Sequence, residues 1–257
     1  MRQALAVIPA RMAASRFPGK PLAAICGLPL VEHVRRRVSL SKARDVYVAT
    51  CDREIADEVE RHGGKAVMTA NTHERCTDRI EEAVRKIEVG RDDIVVIVQG
   101  DEPLVAPEMV DALIQPMMAD DRIACANLLS VIQDDADLRD VDIIKTVLDR
   151  TGRVMYYSRS PIPHVRVRKG CPLYRQTGVS AFTKTFLHQY SKLPPTALEI
   201  AESIDFLRIL EHGHPILGVI WPEHTVGVDR ADDIPLVECA LREDARQREI
   251  FQKIAPR

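Results

Sequence analysis

Several things this sequence lacks narrow its class before any motif is read. Its six cysteines, at 26, 51, 76, 125, 171 and 239, are widely scattered and include no CxxC pair. That pattern argues against a zinc site and against a disulfide framework, and it suits a reducing cytoplasm. Neither charge sign is in excess: the net charge is −2 with 29% charged residues. The basic footprint by which proteins grip nucleic-acid phosphates is missing, so no polynucleotide partner is expected. Residues 1–5 open a strand-like apolar pattern without an h-region or cleavage site, and no apolar run approaches bilayer-spanning length. Neither export nor membrane insertion is expected. Internal repeats, low-complexity linkers and the Walker A and GxGxxG patterns are absent as well.

What is present is enough apolar material for a full core: 257 residues, 46% of them hydrophobic, which suits one large α/β domain. Short β-branched runs at 4–9, 46–50, 66–69 and 94–99 alternate with helical spacing, as in Leu30, Val31, Val34 and Val38, or Ile55, Ala56 and Val59 before the stop at Gly63-Gly64. Such alternation predicts an α/β fold with a mixed, mostly parallel central sheet, helices on both faces, and ligands at the carboxyl ends of the strands. From about residue 123 the order changes, with strands expected at 124–131, 143–148, 154–157 and 177–182 and few helices between them. The second half should therefore be partly antiparallel. Helices are expected at 184–191 and 198–211, then a strand at 216–221 and a final amphipathic helix over 232–253.

Three stretches carry chemistry. The first, Ile8-Pro9-Ala10-Arg11-Met12-Ala13-Ala14-Ser15-Arg16-Phe17-Pro18-Gly19-Lys20-Pro21-Leu22, directly follows the first strand. A triphosphate needs several cations and free backbone N–H groups converging on it, and Arg11, Arg16 and Lys20 in a small-residue loop supply them. On residue chemistry alone, a solvated basic loop held open by two prolines is an equal alternative. The second stretch, Val95 to Leu104, runs an apolar strand into Gln99-Gly100-Asp101-Glu102. A carboxylate at a strand exit suits a hard cation such as Mg²⁺, with Asp101 the first choice, unless Asp101 and Glu102 cap a helix starting near Pro107. The third, Val226-Gly227-Val228-Asp229-Arg230-Ala231-Asp232-Asp233, offers Asp229 at an expected strand end, where an ordinary N-cap is the competing reading. His33, His62, His188, His212 and His214 fall in helical or helix-flanking contexts and are not expected to act as bases; His73 stands apart in a loop.

At these residues the chain resembles the 3-deoxy-manno-octulosonate (Kdo) cytidylyltransferases. The first loop is similar to the family's IPAR-x-x-S-x-R-x-PGKPL signature, and Val48-Ala49-Thr50-Cys51-Asp52 to its VATDD strand. Gly63 to Thr69 resembles its FGG-x-VVMT turn, Val98 to Leu104 its VQGDEPL, and Tyr157 to Pro163 its YFSRSPIP; the likeness spans nearly the whole chain. The resemblance implies a nucleotide-diphospho-sugar transferase fold with a smaller antiparallel dimerisation part, within one domain over 1–257. Residues to about 122 would form the CTP-binding half and the rest the acceptor-binding and dimerisation half. It implies CMP transfer from CTP to a small acidic acceptor, with Mg²⁺ as cofactor and a homodimer as the assembly. Arg11 and Lys20 would grip the phosphates, and Asp101 and Asp229 would hold the metal, these four forming the catalytic set. Ala10, Ser15, Arg16, Thr69, His73, Arg75, Arg79 and Gln99 would surround the nucleotide. Arg159, Gln176, Ser180, Asp205 and Phe206, with Gln99 again, would face the acceptor.

The sequence also departs from that pattern in two places. The family's H-x-SGTDR reads His73-Glu74-Arg75-Cys76-Thr77-Asp78-Arg79, so glycine has become Cys76 and a new charge stands at Arg75. Cysteine restricts a loop that glycine leaves free. Arg75 could meet a phosphate or an acidic acceptor, or point to water. In the acceptor region HIGIYAY reads Gln176-Thr177-Gly178-Val179-Ser180-Ala181-Phe182, and the Glu-Gln of LEQLR is Asp205-Phe206. Losing an imidazole, a phenol and an amide changes the hydrogen bonds open to a sugar acid. Three acceptor classes follow: Kdo, a related 2-keto-3-deoxy or amino sugar acid, and a small phosphonate. After Val165, Arg166, Arg168 and Lys169 add positive charge that would suit an anionic acceptor, or form a basic loop.

Overall fold

The computed structural model describes residues 2–13, 16–73, 75–167, 170–223 and 226–255. Strand β1 (Ala4–Ala10) leads through a short hairpin, β2 (Ala24–Ile25) and β3 (Leu28–Pro29), to α1 (Leu30–Val38). Then come β4 (Val46–Thr50), α2 (Arg53–Arg61), β5 (Lys65–Met68), α3 (Cys76–Lys86), β6 (Ile94–Val98) and α4 (Pro107–Ala119). The second half continues with β7 (Cys125–Val131), α5 (Asp135–Arg139), β8 (Lys145–Leu148), β9 (Val154–Ser158) and β10 (Tyr174–Thr183). It closes with α6 (Lys184–Tyr190), α7 (Ala197–Glu202), α8 (Phe206–Glu211), β11 (Leu217–Trp221), α9 (Ile234–Glu243) and α10 (Ala245–Ile254). None of the described helices is long and apolar enough to cross a membrane.

The strand order is β11-β7-β10-β6-β1-β4-β5. Neighbours β4, β1 and β6 are parallel, as are β4 and β5, and β7 and β11. Only β10 in that row runs against its neighbours β6 and β7. The second half is thus mixed and partly antiparallel, as its sequence suggested. Strands β7 and β11 extend the parallel sheet, and the reversed part is β10 with the β8–β9 hairpin on its first residues. The register of β10 on β7 shifts between Gln176 and Ser180, so the strand bends there and its two ends serve different partners.

Period-2 alternation along β1 explains why both faces are covered. Ala4, Ala6, Ile8 and Ala10 pack with Val31 and Val34 of α1, Ile55 of α2 and Val110 of α4. Leu5 and Val7 pack on the other face with Ile80 of α3, Phe186 of α6 and Leu207 of α8. All five residues of β6 are buried, as a strand covered on both faces requires.

Two expected helices are each broken in two. The stretch 198–211 divides at Ser203, which sits in the left-handed region at φ 53° and ends α7. The stretch 232–253 divides at Asp244, whose extended backbone stops α9 and whose side chain accepts a bond from Gln247 N to start α10. In the second case a short polar side chain competes with the helical backbone, which periodicity does not register.

Candidate active site

Because β1, β4, β5 and β6 are parallel, the loops after them converge on one edge of the sheet. The loop after β1 closes on itself through Gly19 N donating to Met12 O at 3.0 Å, with Gly19 at φ 75°. Asp52 after β4 steadies the loop by accepting from Met12 N at 2.8 Å. Arg11 and Arg16 emerge exposed, and Lys20 follows in a short 3₁₀ turn, Lys20–Leu22. Together with Arg79 they line a cavity of about 420 Å³. Arg79 is itself buried and is aimed by its bond to Thr69 Oγ1 at 2.6 Å, so Thr69 acts by holding Arg79 rather than by lining the cavity. Ala10, His73, Arg75 and Gln99 also line it. Ser15, Arg168 and Lys169 lie outside the described residues.

The two expected metal carboxylates meet at this cavity. Gly100 lets the exits of β1 and β6 approach, since a Cβ there would stand 2.6 Å from Pro9 O. Asp101 follows and accepts from Lys20 Nζ at 2.9 Å. Val228 N donates to Asp101 O at 2.8 Å, and Lys20 Nζ donates to Val228 O at 2.7 Å; these two bonds bring Asp229 within 3.7 Å of the same ammonium. Arg16 reaches Asp229 at 3.4 Å and Asp142 at 3.5 Å. Neither capping alternative holds. The N-cap of α4 is Ala106, not Asp101 or Glu102. Residues 226–229 form no strand, and it is Asp233 that accepts from the Asp229 and Arg230 amides, leaving the Asp229 carboxylate to the site.

A second cavity of about 390 Å³ adjoins the first, and Cys76, Gln99, Asp101 and Asp142 line both. Gln176, Ser180, Asp205 and Phe206, the residues expected to face the acceptor, line the second together. Arg159 does not join them. It lines the first cavity, its guanidinium fixed on Glu202 O at 2.7 Å and Val141 O at 2.8 Å. The Oε1 atom of Gln176 is buried without a partner. Gly178 allows the tight approach of β10 to the β6 exit, because a Cβ there would lie 2.7 Å from Glu102 Oε1 and 3.0 Å from Gln99 Cβ. Cys76 occupies the shared wall and its sulfur accepts from Gln99 Nε2 at 3.1 Å. Burial pushes the Cys76 thiol up to about 11, against the smaller opposing effect of that bond.

Two cavity residues escaped the sequence reading. Asp142 precedes β8 in a polar run with no distinguishing spacing, and Arg175 sits beside the recognised Gln176 but before the strand expected at 177–182. Arg75, expected either to meet a phosphate or acidic acceptor or to point to water, lines the first cavity and is engaged by carboxylates of the protein. It pairs with Asp205 at 2.9 Å and with the buried Glu199.

Residues 5–216 match the cytidylyltransferase family model. An 8-amino-3,8-dideoxy-manno-octulosonate cytidylyltransferase from Shewanella piezotolerans is 41% identical over 240 residues, covering 93% of this chain and 98% of the relative. A 3-deoxy-manno-octulosonate cytidylyltransferase from Syntrophobacter fumaroxidans is 40% identical over 242 residues, covering 93% and 97%. Among solved structures, a CMP:2-keto-3-deoxy-manno-octonic acid synthetase complexed with CTP superposes with a TM-score of 0.89 at 36% identity, over 94% of this chain and 99% of that one.

Proposed function

This chain belongs to the cytidylyltransferase family, and from that premise we propose that it moves CMP from CTP to 3-deoxy-manno-octulosonate or its 8-amino-3,8-dideoxy counterpart, releasing pyrophosphate. One observation carries the reading: a cation-lined cavity and a polar second cavity share a wall built from Gln99, Cys76, Asp101 and Asp142. A nucleotide in the first and a sugar acid in the second would meet at that wall. Arg11, Arg16 and Lys20 bind the triphosphate and stabilise the charge that grows on pyrophosphate as it leaves. An acceptor hydroxyl, oriented from the second cavity by Gln176 and Ser180, attacks the α-phosphorus in line with the departing group. No covalent intermediate with the protein is needed.

Asp101 and Asp229 would hold Mg²⁺. Their carboxylates already converge on one cation, the Lys20 ammonium, and both stay open to solvent, with 36% and 63% of their side-chain surface exposed. An all-oxygen set with few protein ligands suits an ion that keeps phosphate oxygens in its shell. When bound it would lower the charge on the phosphate and favour ionisation of the acceptor hydroxyl. The two halves work as one domain in this reading, because β7, β10 and β11 complete the sheet that β1 begins. We also propose a homodimer through the part holding the antiparallel hairpin, where Val141, Met155 and Ile200 are more than 60% exposed. Light scattering should give twice the chain mass, and M155D should reduce it.

The function is tested by pyrophosphate release with CTP and Mg²⁺ across Kdo, 8-amino-Kdo, sialic acids and small phosphonates. Turnover with the first two supports the reading. Turnover only with phosphonates would move this chain to a different acceptor class, and no release with any acceptor would sink it.

A further inference from the structure

Two stretches depart from the Kdo cytidylyltransferase motifs, one at Arg75-Cys76 and one at Asp205-Phe206, and the fold brings them into contact. Arg75 stands just before α3, and Asp205 lies between α7 and α8. Arg75 Nη1 pairs with Asp205 Oδ1 at 2.9 Å and also contacts Glu199, a fully buried carboxylate on α7. Glu199 is held from its other side by Arg208 of α8, through Nε at 2.8 Å and Nη2 at 2.6 Å. Thr77 Oγ1 lies 3.5 Å from the other oxygen of Asp205, and Tyr190 donates to the Asp205 carbonyl at 3.0 Å. The result is a charge-balanced group of two arginines and two carboxylates spanning both cavities. Arg75 lines the nucleotide cavity and Asp205 the acceptor cavity.

Charge on the acceptor side explains why such a tie matters. Asp101, Asp142 and Asp205 all line the second cavity, against Arg175 as the cation named there among the described residues. An anionic sugar acid entering it meets fewer free negative charges while Arg75 neutralises Asp205. Without Arg75, Glu199 still has Arg208, but Asp205 has no cation within ion-pair distance among the pairs described. Its side chain is only about a quarter exposed, at 28%, so water screens it incompletely.

We propose that Arg75 is a positioning residue for the acceptor: by pairing with Asp205 and Glu199 it neutralises the acceptor cavity and ties the loop before α3 to the α7–α8 corner. The inference rests on the function proposed above. It separates Arg75 from Arg11, Arg16 and Lys20, which the function proposed above assigns to the phosphates.

The test is steady-state kinetics of R75S, R75K and R75S/D205N, with CTP and acceptor varied separately. R75S should raise the acceptor KM roughly tenfold, an effect that shrinks in high salt as exposed-charge interactions do, while the CTP KM stays within about twofold. R75K should recover part of the loss. R75S/D205N should bring the acceptor KM back toward wild type, because the unpaired carboxylate has gone. A rise in CTP KM with no rescue by the second substitution would make Arg75 a phosphate ligand and overturn the proposal. A uniform loss of kcat and stability in R75S that R75S/D205N leaves unrepaired would reduce it to a scaffold residue and overturn it equally. Should wild type itself release no pyrophosphate with any acceptor, the function reading falls first and this inference with it; unchanged kinetics in R75S beside an active wild type sinks the inference alone.

Discussion

Asp101 is reached by three separate restraints: the glycine before it, the ammonium of Lys20 and the Val228 amide on its carbonyl. A side chain held this firmly at the junction of two cavities should matter to turnover more than to folding. Asp101→Ala is expected to lower kcat by on the order of 10²–10³ while leaving CTP binding, measured by calorimetry, far less affected. Cys76 gives a second prediction at this scale. With its thiol pushed up to about 11, Cys76 carries far less thiolate near neutral pH than an unperturbed thiol, by roughly two orders of magnitude or more. Iodoacetamide should therefore label exposed Cys171 well before Cys76, and Cys76 labelling should rise about tenfold per pH unit until pH approaches 11, as mass spectrometry would register. Early labelling of Cys76 at neutral pH would contradict its raised pKa. The position of Cys76 between Gln99 and both cavities could be guessed from its place in the family motif. The contact of Arg75 with Asp205 could not, because 130 residues separate the two in sequence.

At the level of elements, one buried lysine fixes the edge of the second cavity. Lys145, the first residue of β8, donates to the carbonyls of Asp140 at 2.7 Å, Ile143 at 2.6 Å and Arg159. It thereby sets both the loop presenting Asp142 and the end of β9. Burial lowers the pKa of its ammonium, yet three carbonyl acceptors leave each N–H partnered. Lys145→Met leaves those carbonyls without their donor and should cost about 2–4 kcal/mol in urea unfolding, with a raised acceptor KM in the folded fraction. A change under about 0.5 kcal/mol would mean that water replaces the ammonium at no cost. Element types along the chain were legible because the periods of 2 and 3.6 dominate local patterning. The breaks at Ser203 and Asp244 were not, since a helix stop made by a single polar residue leaves the apolar period on either side intact.

For the molecule as a whole, the C-terminal helices close over the start of the chain. His33 on α1 is fully buried, stacks on Phe251 of α10 at 5.4 Å and donates from Nε2 to Ile25 O at 2.8 Å. Desolvation pushes its pKa down to about 4, helped by Arg37 and Arg36 and opposed by the Ile25 bond and Glu238. The folded ring stays neutral where the unfolded one takes a proton. This contribution to stability is therefore complete above the unfolded value near 6.5 and is lost as pH falls toward 4. The loss is on the order of 3 kcal/mol once the pH is below that range. Unfolding free energy should drop across pH 6.5 to 4, and His33→Phe should flatten that part of the profile. An unchanged slope in the variant would assign the acid loss to other groups.

The sequence by itself determined the α/β class and the strands that feed the cavities, and its likeness to a known family singled out the cations after β1 and the acidic positions Asp101 and Asp229, because each is written in a short contiguous stretch. Periodicity and strand-exit chemistry act over a few residues, so they can be read without neighbours. Tertiary structure alone decided that β7 and β11 run parallel, that Asp142 and Arg175 join the cavities, that Arg159 lines the first cavity rather than the second, and that Arg75 meets Asp205. Those outcomes depend on which distant segments share an edge of the sheet, and the pairing free energy that selects them is spread over the whole core rather than stored in any local pattern.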